Sequence, residues 1–181
     1  MSTPKKWIVM ENDIADIDLH TLNEKNRLRA LKRYKLVNGL PKDYFTKLAE
    51  SVADTFHTPI ALVSIVDKDH VAFPGNVGIP NIEEIPRNIS LCSMALLKDH
   101  PTVYPDTLKE PALLSNPLIA GDFGLRFYAG APIICDDGYA LGVVCIVDKQ
   151  PRELSTNEVA SLQNFANEAM QQIKQRLKSL H

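Results

Sequence analysis

Three features that would assign a protein class at once are missing from this sequence: long apolar runs, a basic stripe and paired cysteine motifs. Nowhere among the 181 residues do about 18 apolar residues follow one another, which argues against a membrane span and a signal peptide. The 20 basic and 22 acidic residues are spread along the chain and leave a net charge of -2. We therefore expect a cytoplasmic protein whose partners are neither nucleic acid nor membrane.

Side chains that usually bind metals are few or poorly spaced. The cysteines Cys92, Cys135 and Cys145 form no CxxC pair, which predicts reduced thiols rather than a disulfide framework or a zinc site. The five histidines show no i, i+4 or HxH pairing, so no metal site is predicted. Apolar neighbours favour packing roles for Cys135 and Cys145, whereas Cys92 is either a packing residue or a thiol with a lowered pKa near a helix start.

Apolar periodicity predicts three helices around a core that 45% hydrophobic residues can fill. The first follows a capping box at residues 21–24 and ends at 38–39. The second runs from near Pro41 to just before Pro59 with a full amphipathic stripe. The third follows a capping box at 155–158 and carries the stripe Val159, Leu162, Ala166, Ala169, Ile173, Leu177 and Leu180.

The first half of the chain also predicts strands. The run IALVSIV, residues 60–66, is apolar on both faces and is typical of a central strand. A polar turn then leads into 71–73, which predicts a hairpin. Residues 74–90 carry three prolines and two glycines among short apolar pieces, and they are expected to be a long connection.

In the second half, a short helix is predicted after a cap at Ser90, followed by a short strand at 101–104. Residues 105–125 are expected to be irregular. Two apolar runs then flank Asp136-Asp137-Gly138, and Asp-Gly between such runs predicts a tight hairpin. The order of these elements predicts an α+β domain on an antiparallel sheet, with residues 1–20 as an N-terminal extension and 21–181 as one domain.

A two-residue turn at Asp137-Gly138 predicts the register of the last hairpin. Gly130 would then lie opposite Cys145, Tyr128 opposite Val147, and Ala131 opposite Val144. Period two puts Tyr128, Gly130 and Cys145 on one face, and the small residues Ala129, Ala131, Ala140 and Gly142 on the other. We expect the second face to receive the terminal helices closely and Gly130 to leave room for a pocket on the first.

Several segments in order resemble the GAF domain family, in the version found in bacterial signalling proteins. The resemblance covers residues 23–178 and rests on NEKNRLRALKRYKLVNGLPKDYF, PIALVSIVD, PRNISLCSMAL, SNPLI and LRFYAGAPIICDDGYALGVVCIVDKQPRELS. It implies a six-stranded antiparallel sheet, with terminal helices on one face and a small-molecule pocket among loops and short helices on the other. Family members are mostly regulatory, and many are joined to kinases or cyclases. With no room in 181 residues for such an output domain, we expect action on a kinase or cyclase in trans.

The resemblance and the strand pattern together give a set of pocket candidates. Arg87 and Arg126 are interpreted either as partners of Asp106 or Asp148 or as groups that meet a ligand anion. The bilin-attachment signature is absent, since Cys92 is followed by serine rather than histidine. The Asn-Lys, Phe and Asp-Glu signature of the cyclic-nucleotide subset has no match on the right elements either. No cofactor and no ligand identity are therefore assigned. The ligand-pocket candidates are Phe73, Arg87, Cys92, Asp106, Arg126, Tyr128 and Cys145.

Three functions follow from this set. The leading one is a non-catalytic sensor that acts through a homodimer of terminal helices, whose seam candidates are Leu28, Leu31, Val159, Leu162, Ala166, Ala169 and Ile173. The alternative is the enzymatic branch of the family, the free methionine-R-sulfoxide reductase. Cys92 aligns with one of its cysteines, but the other expected positions hold none. The third is a dimerisation scaffold that binds no ligand.

Overall fold

The computed structural model describes residues 23–38 and 40–181. Three longer helices, α1 over residues 23–33, α2 (Thr46–Phe56) and α5 (Thr156–Ser179), accompany two short ones, α3 (Cys92–Ala95) and α4 (Pro117–Ala120). The six strands are β1 (Ile60–Val66), β2 (His70–Val77), β3 (Glu84–Pro86), β4 (Thr102–Tyr104), β5 (Phe127–Ile134) and β6 (Ala140–Asp148). The predicted extension, residues 1–20, the predicted cap residue Thr21 and Gly39 lie outside the described residues.

The six strands form one sheet in the order β3-β2-β1-β6-β5-β4. Every recorded strand pair is antiparallel. Strands β1 and β6 lie at the centre, and all of their residues are buried. The predicted α+β class and the six-stranded antiparallel sheet are confirmed.

The sheet separates two apolar cores. One lies between the sheet and helices α1, α2 and α5, and the other lies under α3, α4 and the loops. Helix α5 begins with the predicted capping box, in which the Ser155 hydroxyl accepts from Glu158 N and the Glu158 carboxylate accepts from Ser155 N. Its apolar stripe lies against β5 and β6.

The predicted dimer seam is already covered within one chain. Leu31 of α1 and four residues of α5 have no exposed area because they fill the core against the sheet: Leu162, Ala166, Ala169 and Ile173. Leu28 and Val159 are both half-buried, and Leu28 packs against the same core. These five residues are therefore not available for a dimer seam, because they pack on the chain's own sheet. The homodimer itself stays a prediction.

Several predicted boundaries also change. Residues 74–90 are not one long connection, since β2 continues to Val77 and β3 pairs with it. Pro74 is tolerated because the pairing of β1 and β2 shifts register there, between Val63 and Ile65. The first helix ends at residue 33, before the predicted stop, and the second begins at Thr46 rather than near Pro41.

The last hairpin has a longer turn than predicted, yet its predicted register is right. Cys135 pairs with Tyr139 across three loop residues, with Gly138 at a φ of 86°. A shift near Leu141 adds one residue on β6, which restores Gly130 opposite Cys145. The same shift turns Ala140 to the loop-covered core, contrary to prediction. A Cβ added at Gly142 would overlap the Ser64 carbonyl of β1.

Candidate functional site

A small cavity lies on the loop-covered face of the sheet. Its volume is about 70 Å³, and apolar side chains form nearly all of its wall. The sheet contributes Phe73 from β2, Tyr128 from β5 and Cys145 from β6, and α3 contributes Cys92. The outer wall comes from the segments around Ile82 and Phe123. The cavity therefore lies where the resemblance places a small-molecule pocket.

Helix α3 brings one thiol to this wall. The Ser90 hydroxyl accepts a hydrogen bond from the Cys92 backbone N–H at 3.2 Å, so the helix begins close to the predicted cap. Ser93 then donates to the Arg87 carbonyl at 2.8 Å, which fixes the first turn against the preceding segment. Cys92 is left facing the sheet with 3% of its surface exposed.

Two thiols and a phenol meet in the cavity wall. The Sγ atoms of Cys92 and Cys145 are 3.9 Å apart, and the Tyr128 hydroxyl donates to Cys92 Sγ at 3.4 Å. The hydrogen bond with Cys145 contributes most to lowering the pKa of Cys92 to about 6, despite burial. The pKa of Cys145 is raised well above its ordinary value by the same bond and by burial. Cys92 is thus the more acidic thiol of the pair.

Gly130 makes the position of the Tyr128 ring possible. A methyl group added to Gly130 would overlap the Tyr128 hydroxyl and come within 2.8 Å of Val143 Cγ1. The space that Gly130 leaves on this face is therefore occupied by the end of the Tyr128 ring. Burial raises the pKa of Tyr128 well above its ordinary value, so the phenol remains a donor.

The charged pocket candidates lie elsewhere. Asp106 accepts from Leu108 N and caps a 3₁₀ turn. Arg126 donates to the carbonyl oxygens of Ile119 and Leu125, each at 3.0 Å. Asp106, Arg126 and Arg87 all lie outside the cavity wall. The predicted pairing of the two arginines with Asp106 or Asp148 is wrong, since the structure gives both of them other partners.

Arg87 belongs to a network that the sequence did not predict. Its guanidinium donates to the Glu24 carboxylate of α1, and Glu24 also accepts from Arg27. Arg27 is 5% exposed and donates to the carbonyl oxygens of Val66 and Ala140. Burial raises the pKa of Glu24, but the two arginines outweigh it and lower the pKa to about 2. The only sequence signal was the three-residue spacing of Glu24 and Arg27.

The described part of the chain offers neither a metal cluster nor a membrane-spanning helix. Within residues 23–38 and 40–181, no three His, Cys, Asp or Glu side chains come together in a way that could hold a metal ion. None of the helices in this part of the chain is long and apolar enough to span a membrane. Cys135, the third thiol, lies in the helix-side core, across the sheet from the cavity.

Comparison with known proteins agrees with this architecture. A family model described as GAF domain matches residues 41–173. The chain belongs to the GAF domain family. Membership of this family supports the predicted role of the chain in signalling and ligand sensing.

This GAF domain is similar to part of a curated enzyme. It is 32% identical over 152 residues to a cyclic di-GMP phosphodiesterase of Pseudomonas aeruginosa. The match covers 83% of this chain and 26% of the enzyme, so the chain spans about a quarter of the length of that relative.

Solved structures share the fold at low sequence identity. The GAF domain of a phosphoenolpyruvate-protein phosphotransferase from Coxiella burnetii gives a TM-score of 0.62 at 17% identity and covers 88% of this chain and 98% of that one. A type II free methionine-R-sulfoxide reductase from Thermoplasma acidophilum gives 0.60 at 15% identity, with coverages of 74% and 92%. Such likeness shows the fold alone.

Proposed function

We propose that this GAF domain is a non-catalytic sensory domain that binds a small uncharged molecule in the cavity between α3 and the sheet. The observation that carries the proposal is the cavity itself, an apolar space of about 70 Å³ with two thiols and a phenol as its main polar groups. Apolar pockets with a few converging polar groups are the usual form of a ligand site.

The wall chemistry limits the ligand class. Among the described residues, no Lys, Arg, His, Asp or Glu side chain lines the cavity, so an anion would lose its hydration without gaining a cationic partner. The volume is about half of the ~150 Å³ cavity that holds benzene in an engineered protein. A cyclic dinucleotide is far larger and more strongly charged than this space accommodates. The proposed ligand is therefore a molecule of a few heavy atoms.

The proposed output passes through the sheet to the terminal helices. Strand β5 carries Tyr128 on the cavity face and Ala129 and Ala131 on the helix face, where α5 lies directly against it. A ligand that favours one arrangement of α3 over another biases α5 by that difference in affinity. Because its relative is named a cyclic di-GMP phosphodiesterase, we propose that the regulated process is cyclic di-GMP turnover.

The reductase remains the second candidate, and one observation favours it. Cys145 lies 3.9 Å from Cys92 and so supplies a nearby second thiol, which the positions of the cysteines in the sequence did not reveal. The cavity volume argues against it, because free methionine sulfoxide is larger and has a charged amino group and carboxylate. Incubating the reduced protein with methionine-R-sulfoxide and dithiothreitol is expected to yield no methionine, and multiple turnovers would establish the enzyme instead.

A matched pair of substitutions tests the sensory role. Leu118→Phe adds volume at a half-buried residue of the cavity wall, whereas Leu114→Phe adds the same volume at a side chain that is 47% exposed. The expected result is an altered cellular cyclic di-GMP level with Leu118→Phe and a wild-type level with Leu114→Phe. Equal cyclic di-GMP levels in cells that carry the two variants at the same protein abundance would contradict the proposed function.

A further inference from the structure

We infer that Cys92 and Cys145 are an oxidisable dithiol, which a small neutral peroxide converts into an intramolecular disulfide in the cavity wall. The inference rests on the proposed sensory function and names the chemical class of its signal. It uses a pair of residues that are 53 positions apart in the sequence and come from different elements, α3 and β6.

The two sulfurs are close enough for a short movement to join them. Their separation is 3.9 Å, and a disulfide needs about 2.0 Å, so they must approach by about 2 Å. Cys145 lies in a central strand that is hydrogen-bonded on both sides, which holds it in place. Cys92 lies in a four-residue helix between two connecting segments. Closure is therefore expected to move α3 toward the sheet.

The surroundings give the two thiols different roles. Cys92 accepts the Tyr128 hydrogen bond and is the more acidic thiol, with a pKa of about 6, so it is the nucleophile. Cys145, whose pKa is raised, keeps its proton and is the resolving thiol. Cys135 lies on the far face of the sheet and takes no part.

The chemistry balances with peroxide as the only oxidant. The Cys92 thiolate attacks one peroxide oxygen, the O–O bond breaks, and the leaving hydroxide takes up a proton to give water and a sulfenic acid at Cys92. The Cys145 sulfur then attacks the Cys92 sulfur, the S–O bond breaks, and the Cys145 proton leaves with the hydroxide as a second water. In sum, two thiols lose two electrons and two protons, and hydrogen peroxide becomes two waters.

The cavity selects the oxidant by size and charge. Each water occupies about 30 Å³ in the liquid, so a space of about 70 Å³ holds hydrogen peroxide, which has two oxygen atoms. Larger hydroperoxides have more atoms to place in this space. Anionic oxidants meet an apolar lining in which the described residues supply no cation.

Movement of α3 has a direct contact route to α1. Ser93, next to Cys92, donates to the Arg87 carbonyl, and the Arg87 guanidinium binds Glu24 of α1. A shift of α3 that breaks the Ser93 bond therefore alters the segment that holds one end of α1. This connects the oxidised dithiol to a terminal helix.

The test treats the reduced protein near pH 7 with a slight excess of hydrogen peroxide and maps its cysteines by peptide mass spectrometry. The expected product is a Cys92–Cys145 crosslinked peptide, with Cys135 still reduced. Cys135→Ser is expected to form the same disulfide at the wild-type rate, and Tyr128→Phe to form it severalfold more slowly. In Cys145→Ala, a sulfenic acid trapped by dimedone at Cys92 is expected instead.

Several results would overturn the inference. One is a wild-type protein in which Cys92 and Cys145 stay reduced while a free model thiol is consumed. Another is oxidation confined to Cys135. Because the cysteine map of the wild-type protein decides the outcome, a variant that fails to fold leaves the test intact.

Two combined results separate this inference from the proposed function. If no disulfide forms but Leu118→Phe still changes the cyclic di-GMP level, only this inference fails. A disulfide that forms while Leu118→Phe has no effect would count against the proposed function instead.

Discussion

At the scale of single residues, Gly130 and Tyr128 act as one unit. The glycine provides the space into which the phenol ring extends, and the ring reaches across to Cys92. The contact between Gly130 and Tyr128 explains why β5 begins with aromatic residues and continues with small ones. The small side chains on the helix face allow α5 to approach the sheet, whereas Gly130 serves the cavity face.

Gly130→Ala is expected to destabilise the protein by about 1–3 kcal/mol, because its methyl group overlaps the Tyr128 hydroxyl in a closely packed core. In a Tyr128→Phe background the same substitution should cost less, since the main overlapping atom is gone. Urea unfolding of the four proteins measures the coupling between the two sites. Additive effects of the two substitutions would show that the residues act independently.

Four of the seven pocket candidates line the cavity, and period two in the last hairpin accounts for two of them, Tyr128 and Cys145. Tyr128 and Cys145 face the same side of the sheet in the observed register. The predicted register is right although the predicted turn is too short, because the extra residue near Leu141 compensates for the longer turn. The charged candidates could not be placed in this way. Arg126 binds main-chain carbonyls, and Arg87 binds a carboxylate 63 residues away, which no local pattern reveals.

At the scale of elements, α1 is attached to the sheet by a buried charge as well as by apolar contacts. Arg27 donates to carbonyl oxygens at the end of β1 and the beginning of β6, and it also binds Glu24. Those two carbonyls belong to different strands, so one side chain connects three elements. Leu31 adds apolar contact on the same face of the helix.

Arg27→Met is expected to lower the free energy of unfolding by about 2 kcal/mol or more, because two main-chain acceptors lose their donor inside the protein. Arg29→Met is the matched control on the same helix, since Arg29 is exposed and bonds only to Asn26 among the described contacts. Its effect should stay within about 0.5 kcal/mol. Equal losses in the two variants, measured by urea unfolding, would show that the buried contacts of Arg27 add nothing.

At the scale of the whole molecule, the sheet separates the core packed against α1, α2 and α5 from the face that carries the proposed ligand cavity. The buried apolar residues of α1, α2 and α5 pack against the sheet. A homodimer built on these helices, which stays a prediction, would therefore use their other faces. A light-scattering mass equal to that of one chain would contradict the predicted homodimer. The opposite face, under α3 and α4, keeps a small space that packing has not filled.

The claim that this space receives a small uncharged molecule is tested most directly by methyl NMR of the reduced protein under xenon pressure. Xenon is an uncharged probe that enters small apolar cavities. Saturable shifts are expected at methyl groups of the wall, such as those of Leu91, Leu118 and Val147, and Leu118→Phe should weaken them while Leu114→Phe leaves them unchanged. Shifts that stay linear with pressure, or that are the same in both variants, would contradict the claim.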